Sequence, residues 1–413
     1  MPTNLPINAD RLWATLMEMA KIGATEKGGN CRLSLTDLDK QGRDLFVAWC
    51  EEAGCTVSVD AAGNIFARRP GRDGSRPAVM MGSHLDTQPT GGRFDGVLGV
   101  LAGLEAVRTL NDHGIETDAP IDLVCWTNEE GSRFSPAMMG SGAFCGIFPM
   151  DEIAAKADVD GLTFGDELAR IGYAGDEVPG ARDVGAYFEL HIEQGPILEA
   201  AEKTIGVVTA AQGQRWYEIT VTGAESHAGP TPMPRRRDAL VSASKIVQEV
   251  NRIGHAHAPH ACATVGHMQV RPNSRNVIPG EVFLTVDFRH PDDNTLKTMN
   301  DELKAFCERL CEPGKMAVEV VDFWYFPPTP FNSDCVEAVR AGAEMAGFGH
   351  MDIVSGAGHD AVYLAGVAPT GMIFVPCEDG ISHNEIENAT PEDCAAGCQV
   401  LLHAVLERAE PSA

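Results

Sequence analysis

Positive charge is the scarcest resource of this chain: 32 Lys plus Arg stand against 59 Asp plus Glu, a formal net charge of −27 over 413 residues. A surface of that sign repels phosphate backbones and anionic lipid, so neither nucleic acid nor a membrane is an expected partner. No apolar run approaches the ~18 residues of a spanning helix. The opening MPTNLPINADRLW lacks a basic stretch leading into an apolar one, so the expectation is a soluble, cytoplasmic protein. The 12 cysteines include no CxxC pair, which argues against a zinc knuckle and a secreted disulfide framework and for reduced thiols. Also missing are a GxSxG nucleophile elbow, a GxxxxGK[ST] phosphate loop, solenoid repeats and low-complexity tracts.

Apolar residues make up 44% of the chain, enough for more than one core, and the length exceeds what one core organises. The first part alternates helical and strand patterns, an α/β signature. Helices are expected over residues 9–22, 37–53 and 95–110, and strands over 56–59 and 64–68. The runs PAVMMGSHLD and IDLVCWTN read as buried strands ending in polar residues. In open α/β sheets reactive groups gather beyond the carboxyl ends of strands, where these polar clusters sit.

Composition changes near Gln212 and again at the Pro-rich FPPTP of residues 326–330. Residues 212–329 hold 13 Lys plus Arg and 14 Asp plus Glu, a net of −1, so the remainder carries −26. Within this segment WYEITVTG and EVFLTVDFRH alternate like sheet strands and residues 238–253 read as a helix. The expected architecture is an α/β domain of residues 1–211 and 330–413, a central mixed sheet flanked by helices, with an α+β domain of residues 212–329 inserted.

Five residues have the chemistry to hold a pair of divalent ions: His84 and Asp95 in SHLDTQPTGGRFDG, Glu130 in NEEGSRF, His191 in ELHIEQGP and His383 in GISHNE. Imidazole nitrogen and carboxylate oxygen suit zinc or manganese, and Asp95, with two oxygens, is the candidate bridge. Asp86 is placed to accept the second ring proton of His84. Glu129 and Glu130 are adjacent at a strand end, so one side chain can ligate while the other faces substrate. Singly, His84 reads as a buried core histidine and the glutamate pair as a solvated turn. Together they describe metal-assisted hydrolysis, in which ions acidify water and polarise a carbonyl while Glu129 moves the proton.

The ordered series HLDT, GGRFDG, NEEGSRF, LHIEQGP, SHAGPTPM, RPNSRNVIPG, DFRHPD, SGAGHDA and ISHNE, from about residue 80 to 390, resembles the ureidohydrolase branch of the aminoacylase and carboxypeptidase metallopeptidase superfamily. That branch contains N-carbamoyl-L-amino-acid amidohydrolases, β-ureidopropionases and allantoate amidohydrolases. The resemblance implies a di-metal aminopeptidase-like catalytic domain with an inserted lid and dimerisation domain. One ion would take His84, Asp95 and His191, and the other Asp95, Glu130 and His383, with Glu129 as general base supported by Asp86. The ions implied are zinc, or manganese, cobalt or nickel.

For a small ureido acid substrate the resemblance implies Arg289, Asn276 and Gln194 as contacts for carboxylate and carbamoyl group, with Gly358 and His359 in a substrate-contact loop. His227 would stabilise the oxyanion in the site of a second copy, which implies a homodimer formed through the inserted domain. On spacing alone, Arg289 reads as an ion pair with Asp287. Rival readings are an allantoate amidohydrolase, an aminoacylase or peptidase, and a silent metal-binding scaffold. Glu129 argues against the last, since a structural site needs no free base. The GAGHDA match to a dinucleotide loop lacks a surrounding βαβ unit. His255, His257 and His260 read as an exposed loop, Arg235 to Arg237 as a solvated face, and Cys307 and Cys311 as buried thiols.

Overall fold

The computed structural model describes residues 5–311 and 316–410. One compact unit takes the chain up to Thr209 and from Pro330 onward, and Ala210–Thr329 forms the other.

The first unit is built on a mixed sheet. Its strands run in the order Thr56–Val59, Ile65–Arg69, Ile121–Trp126, Ala78–His84, Val184–Ile192, Thr370–Val375, Ile205–Ala211 and Thr329–Pro330, with His350–Ser355 also paired to Ile205–Ala211. The four strands from Ile121–Trp126 to Thr370–Val375 are parallel neighbours. Continuous apolar sequence fits this position because both faces of the sheet are covered. Val79, Met81, Leu123 and Cys125 pack with Leu98 and Leu101 of the helix Val97–Asp112 and Leu401 of the helix Pro391–Ala409. Met80, Val124, Trp126 and Phe374 face the other way, with Phe144 and Leu364. Burial of each large side chain contributes about 1.5–3 kcal/mol relative to exposure. Gly82 pairs with Val124 where a Cβ would overlap the Val124 carbonyl, so only glycine lets these strands meet.

Two helix boundaries differ from the sequence pattern for physical reasons. The first helix ends at Met19: the Lys21 and Ile22 N–H groups turn to carbonyls three residues back, Glu18 and Met19, and the Asn30 side chain takes the Ala20 carbonyl (3.1 Å). The helix expected from residue 95 begins at Val97, because Gly96 has φ +67°, outside the helical region.

The second unit is a four-stranded antiparallel sheet, ordered Ala317–Phe326, Gly213–Thr222, Glu281–His290 and Cys262–Arg271. Val282, Leu284, Val286 and Phe288 alternate inward against the helices Ala239–Ala256 and Asp293–Leu310. Asp238 and Asp292 cap those helices by accepting backbone N–H bonds. The expected histidine loop is partly helical: His255 belongs to the last helical turn, and His257 Nε2 lies 2.9 Å from Glu302 Oε1. Cys307 is buried as expected, but Cys311, the residue after the helix end at Leu310, is exposed.

Candidate metal centre

Four parallel strands and the loops after them deliver the polar cluster of the first unit. His84 ends Ala78–His84, His191 lies near the end of Val184–Ile192, and Glu129 and Glu130 follow Ile121–Trp126. His383 sits in the loop after Thr370–Val375 with φ +54°, and Asn128 turns the glutamates inward with φ +57°. Asn128 holds that conformation by donating from Nδ2 to the Phe134 carbonyl (2.7 Å).

Two groups of possible ligands meet at Asp95: His84, Asp95 and His191, and Asp95, Glu130 and His383, the ligand atoms of each lying within 4.8 Å of one another. Asp95 Oδ1 is 3.7 Å from His84 Nε2 and 3.1 Å from His191 Nε2, whereas Oδ2 is 3.4 Å from His383 Nε2. Each oxygen thus serves a different set. Nδ1 of His84 donates to the Asp86 carbonyl and Nδ1 of His191 to the Ile192 carbonyl, both at 2.9 Å, which aims Nε2 of each ring at the cluster. This corrects the expected task of Asp86. Its carboxylate lies 3.9 Å from His84 Nδ1 and instead accepts the N–H groups of Glu129 and Glu130, each at 3.2 Å. Glu129 Oε2 is directed to His84 Nε2 (3.4 Å) and Glu130 Oε2 to His383 Nε2 (3.5 Å).

The donor set fits a pair of divalent cations. Three imidazoles and carboxylates are hard-to-borderline ligands, and within this unit the ion-pair partners of Asp95, Glu129 and Glu130 among the described residues are histidines. Residues 80–407 match peptidase family M20/M25/M40. The chain belongs to that family. It is 53% identical over 407 residues to an N-carbamoyl-L-amino-acid amidohydrolase of Rhizobium meliloti, covering 98% of each chain. It is 33% identical to the allantoate amidohydrolase of Escherichia coli, covering 94% of this chain and 95% of that one. A crystal structure of a hydantoinase/carbamoylase family amidase from Burkholderia multivorans superposes with a TM-score of 0.95 at 64% identity, covering 99% and 100% of the two chains. This M20 chain is accordingly a hydrolase acting on amides.

Burial sets the electrostatics of the centre. It pushes His84 down to about 4, leaving a neutral ring with a free lone pair. It also opposes ionisation of Asp95, but hydrogen bonds from His191 and His383 hold that carboxyl well below its usual range. Burial, then Asp360 and Glu130, drive Glu129 well above the carboxylate range; burial and Asp95 do the same to Glu130. Against burial, Asp95 and Glu189 raise His191 to about 9.

A pH-dependent response to metal follows. Burial raises Asp86 and Glu387 each to about 7. The folded, ion-free protein therefore holds protons that the unfolded chain has released. Their stabilising contribution is full below the unfolded values near 4 and lost as pH rises through 7. Cations favour the ionised carboxylates and displace the His191 proton, so the gain in Tm on adding manganese or zinc is expected to be larger at about pH 7.5 than at about pH 5.5. Equal gains in paired melting curves contradict this.

The other expected site residues fall in different places. Gln194, φ +57°, donates from Nε2 to Asp95 Oδ2 (2.9 Å) and Ser382 Oγ (3.2 Å). His359 lies outside both ligand sets; its buried ring stacks edge-on to His191 at 4.5 Å between centroids, with Nε2 3.0 Å from Ser355 Oγ. Burial and the neighbouring His191 keep it neutral. Gly358 packs beside the Met138 methyl. His227 and Asn276 belong to the second unit, where Ser226–His227 pairs with Val277–Ile278 and Ala228 N–H donates to the Asn276 carbonyl (2.8 Å). They are neighbours despite lying 49 positions apart, and His227 is exposed. Arg289, in the strand Glu281–His290, pairs with Asp287 at 2.9 Å, as its spacing alone suggested.

Several contributors were not singled out by sequence. The Gly96 nitrogen lies 3.2 Å from His191 Nε2. Gln88 donates to Glu130 Oε2 (2.6 Å). Glu189 accepts from Ser83 Oγ (2.7 Å), Tyr187 Oη (3.2 Å) and the Ala361 N–H (2.9 Å), tying together the strands of His84 and His191 and the segment after His359.

Proposed function

We propose that this amidohydrolase cleaves the carbamoyl C–N bond of N-carbamoyl amino acids, of the L-α or β-alanine type, yielding the amino acid, CO2 and ammonia. The observation that carries the reading is Glu129: a buried carboxylate beside two ligand sets that share Asp95, in a chain 53% identical to a carbamoylase of Rhizobium meliloti. Two divalent ions, zinc or manganese, cobalt or nickel, would supply Lewis-acid polarisation of the carbamoyl carbonyl and acidify the attacking water.

Glu129 takes a proton from that water at Oε2 and returns it to the leaving nitrogen. Asp86 keeps Glu129 in place through the backbone, so the base is positioned without spending its own carboxylate. Arg289 receives the substrate carboxylate, with Asn276, Gln194, Gly358 and His359 as further contacts. His227 stabilises the oxyanion in the site of a second copy, making the working form a homodimer through the inserted unit, which also serves as a lid. The partner is a small ureido acid rather than nucleic acid or membrane, and the compartment is the cytoplasm. Among the described residues no helix is long and apolar enough to cross a membrane.

Product assays on N-carbamoyl-L-methionine, N-carbamoyl-β-alanine and allantoate, with chelated and metal-restored enzyme, test the reading. Turnover of a carbamoyl amino acid that chelation removes and metal restores supports it; turnover of allantoate alone transfers the assignment to that reaction. Activity on none of the three overturns it.

Arg289→Ala is expected to raise KM for carbamoyl amino acids about 10- to 100-fold with a smaller change in kcat, the loss of a charge-assisted bond to a carboxylate. An unchanged KM removes Arg289 from substrate binding. His227→Ala and Glu129→Gln subunits, each inactive alone, are expected to recover roughly a quarter of wild-type activity after random mixing, since half of the dimers are mixed and each carries one complete site. No recovery, with mixing verified by mass, rejects the shared site.

A further inference from the structure

The loop that carries His383 also carries Glu387, an acidic side chain outside both ligand sets. Asn384 Oδ1 accepts the Ile386 N–H (3.2 Å) and the Glu387 N–H donates to the Asn384 carbonyl (3.0 Å), a tight turn that returns Glu387 beneath the cluster. The Glu387 side chain is buried at 1% exposure. Its Oε1 accepts the N–H groups of both Phe94 and Asp95, each at 3.1 Å. Its Oε2 accepts from Ser382 Oγ (3.0 Å), and the same hydroxyl lies 3.1 Å from Asp95 Oδ2.

Space is reserved for this carboxylate. A Cβ at Gly92 would overlap the Glu387 carboxyl carbon and Oε1. The carboxylate therefore joins the backbone of the bridging residue to the loop of His383, although the two are 292 positions apart in sequence.

We infer that Glu387 is a positioning residue that couples the two ion positions, fixing Asp95 and the His383 loop as one piece. The inference rests on the reading that the cluster holds two ions. Without the Glu387 side chain, two buried N–H groups lose their acceptor and the bridge is free to shift, so both ions weaken together. Ser382 acts more narrowly. Of the two Asp95 oxygens it meets only Oδ2, the one facing His383, and Glu387 keeps both backbone N–H bonds without it, so its removal weakens the second ion alone.

The test is manganese and zinc stoichiometry and affinity by competition with a chromophoric chelator, on purified full-length protein with its fold checked by circular dichroism. Wild type is expected to bind two ions, and Glu387→Ala to bind both at least about 10-fold more weakly. Glu387→Gln, whose amide oxygen still accepts both N–H groups, is expected to stay within about threefold of wild type, a rescue that general loss of packing does not produce. Ser382→Ala is expected to lower only one of the two affinities. Two ions bound by Glu387→Ala with unchanged affinities overturn the coupling, as does loss of one ion alone in that variant. If Glu387→Ala does not fold, Glu387→Gln and Gly92→Ala decide: the inference requires wild-type affinities in the first and weakening of both ions in the second. A wild type binding fewer than two ions fails the underlying two-ion reading instead.

Discussion

Glu129→Gln is expected to lower kcat by about three orders of magnitude while leaving KM and metal content near wild type. Glutamine keeps the size and both polar termini of the side chain but cannot carry a proton from water to a leaving nitrogen. The backbone at this position is held by the Asp86 carboxylate, which accepts the N–H groups of both Glu129 and Glu130, and that anchor is untouched by the substitution. Neither ligand set includes Glu129. Metal analysis alongside steady-state kinetics separates the alternatives. Turnover within about threefold of wild type eliminates Glu129 as the base, and loss of an ion from the variant would reassign it as a ligand. The pH dependence supplies a second readout. Burial, Asp360 and Glu130 push the Glu129 carboxyl well above the ordinary range, and ions in the two sets oppose that shift. The acidic limb of the kcat profile should therefore change with the metal supplied and vanish in the glutamine variant.

The residues that meet around Asp95 were legible in the sequence because apolar runs such as PAVMMGSH and IDLVCW read as buried strands, and polar residues directly after such strands gather at one edge of the sheet. The same reasoning missed what depends on turn geometry. The adjacent glutamates were expected to diverge by strand alternation, yet the strand stops at Trp126 and the left-handed Asn128 sets their directions. Asp86 was given the side-chain role that its spacing from His84 suggested, but its carbonyl is the atom that meets the ring. Spacing of two residues fixes proximity; which oxygen turns inward is decided by a partner 43 positions away, the Glu129 N–H. Glu387 drew no attention in the sequence, because it accepts backbone N–H groups and a backbone donor carries no sequence signature. The inserted segment was recognisable from its near-neutral composition and period-two strands, but the pairing of His227 with Val277 requires a ladder between short strands that no local pattern announces.

Gly96→Ala should strip the centre of both ions although it adds only a single methyl group. Gly96 has φ +67°, a conformation costing a non-glycine residue about 1–2 kcal/mol. That strain is the smaller part. A Cβ at this position would overlap the His84 ring at Cε1, Nε2 and Cδ2. The ring cannot step aside, since it is 1% exposed and tethered through Nδ1 to the Asp86 carbonyl. Relief must come from the backbone, which displaces the Gly96 nitrogen packed 3.2 Å from His191 Nε2 and, one residue earlier, Asp95 itself. Because Asp95 belongs to both ligand sets, the displacement reaches both ions and not only the one beside His84. Gly114→Ala isolates the backbone contribution: Gly114 has φ +61°, and nothing lies within 4 Å of its Cβ position. Metal analysis after desalting is expected to find two ions per chain in wild type and Gly114→Ala and less than one in Gly96→Ala, with turnover lost in proportion. Melting curves in the presence of chelator should fall by similar amounts for the two variants, and only Gly96→Ala should fail to regain stability on adding manganese or zinc. Two tightly held ions in Gly96→Ala would mean that the His84 ring is free to move, and that its tether does not aim Nε2 at the centre.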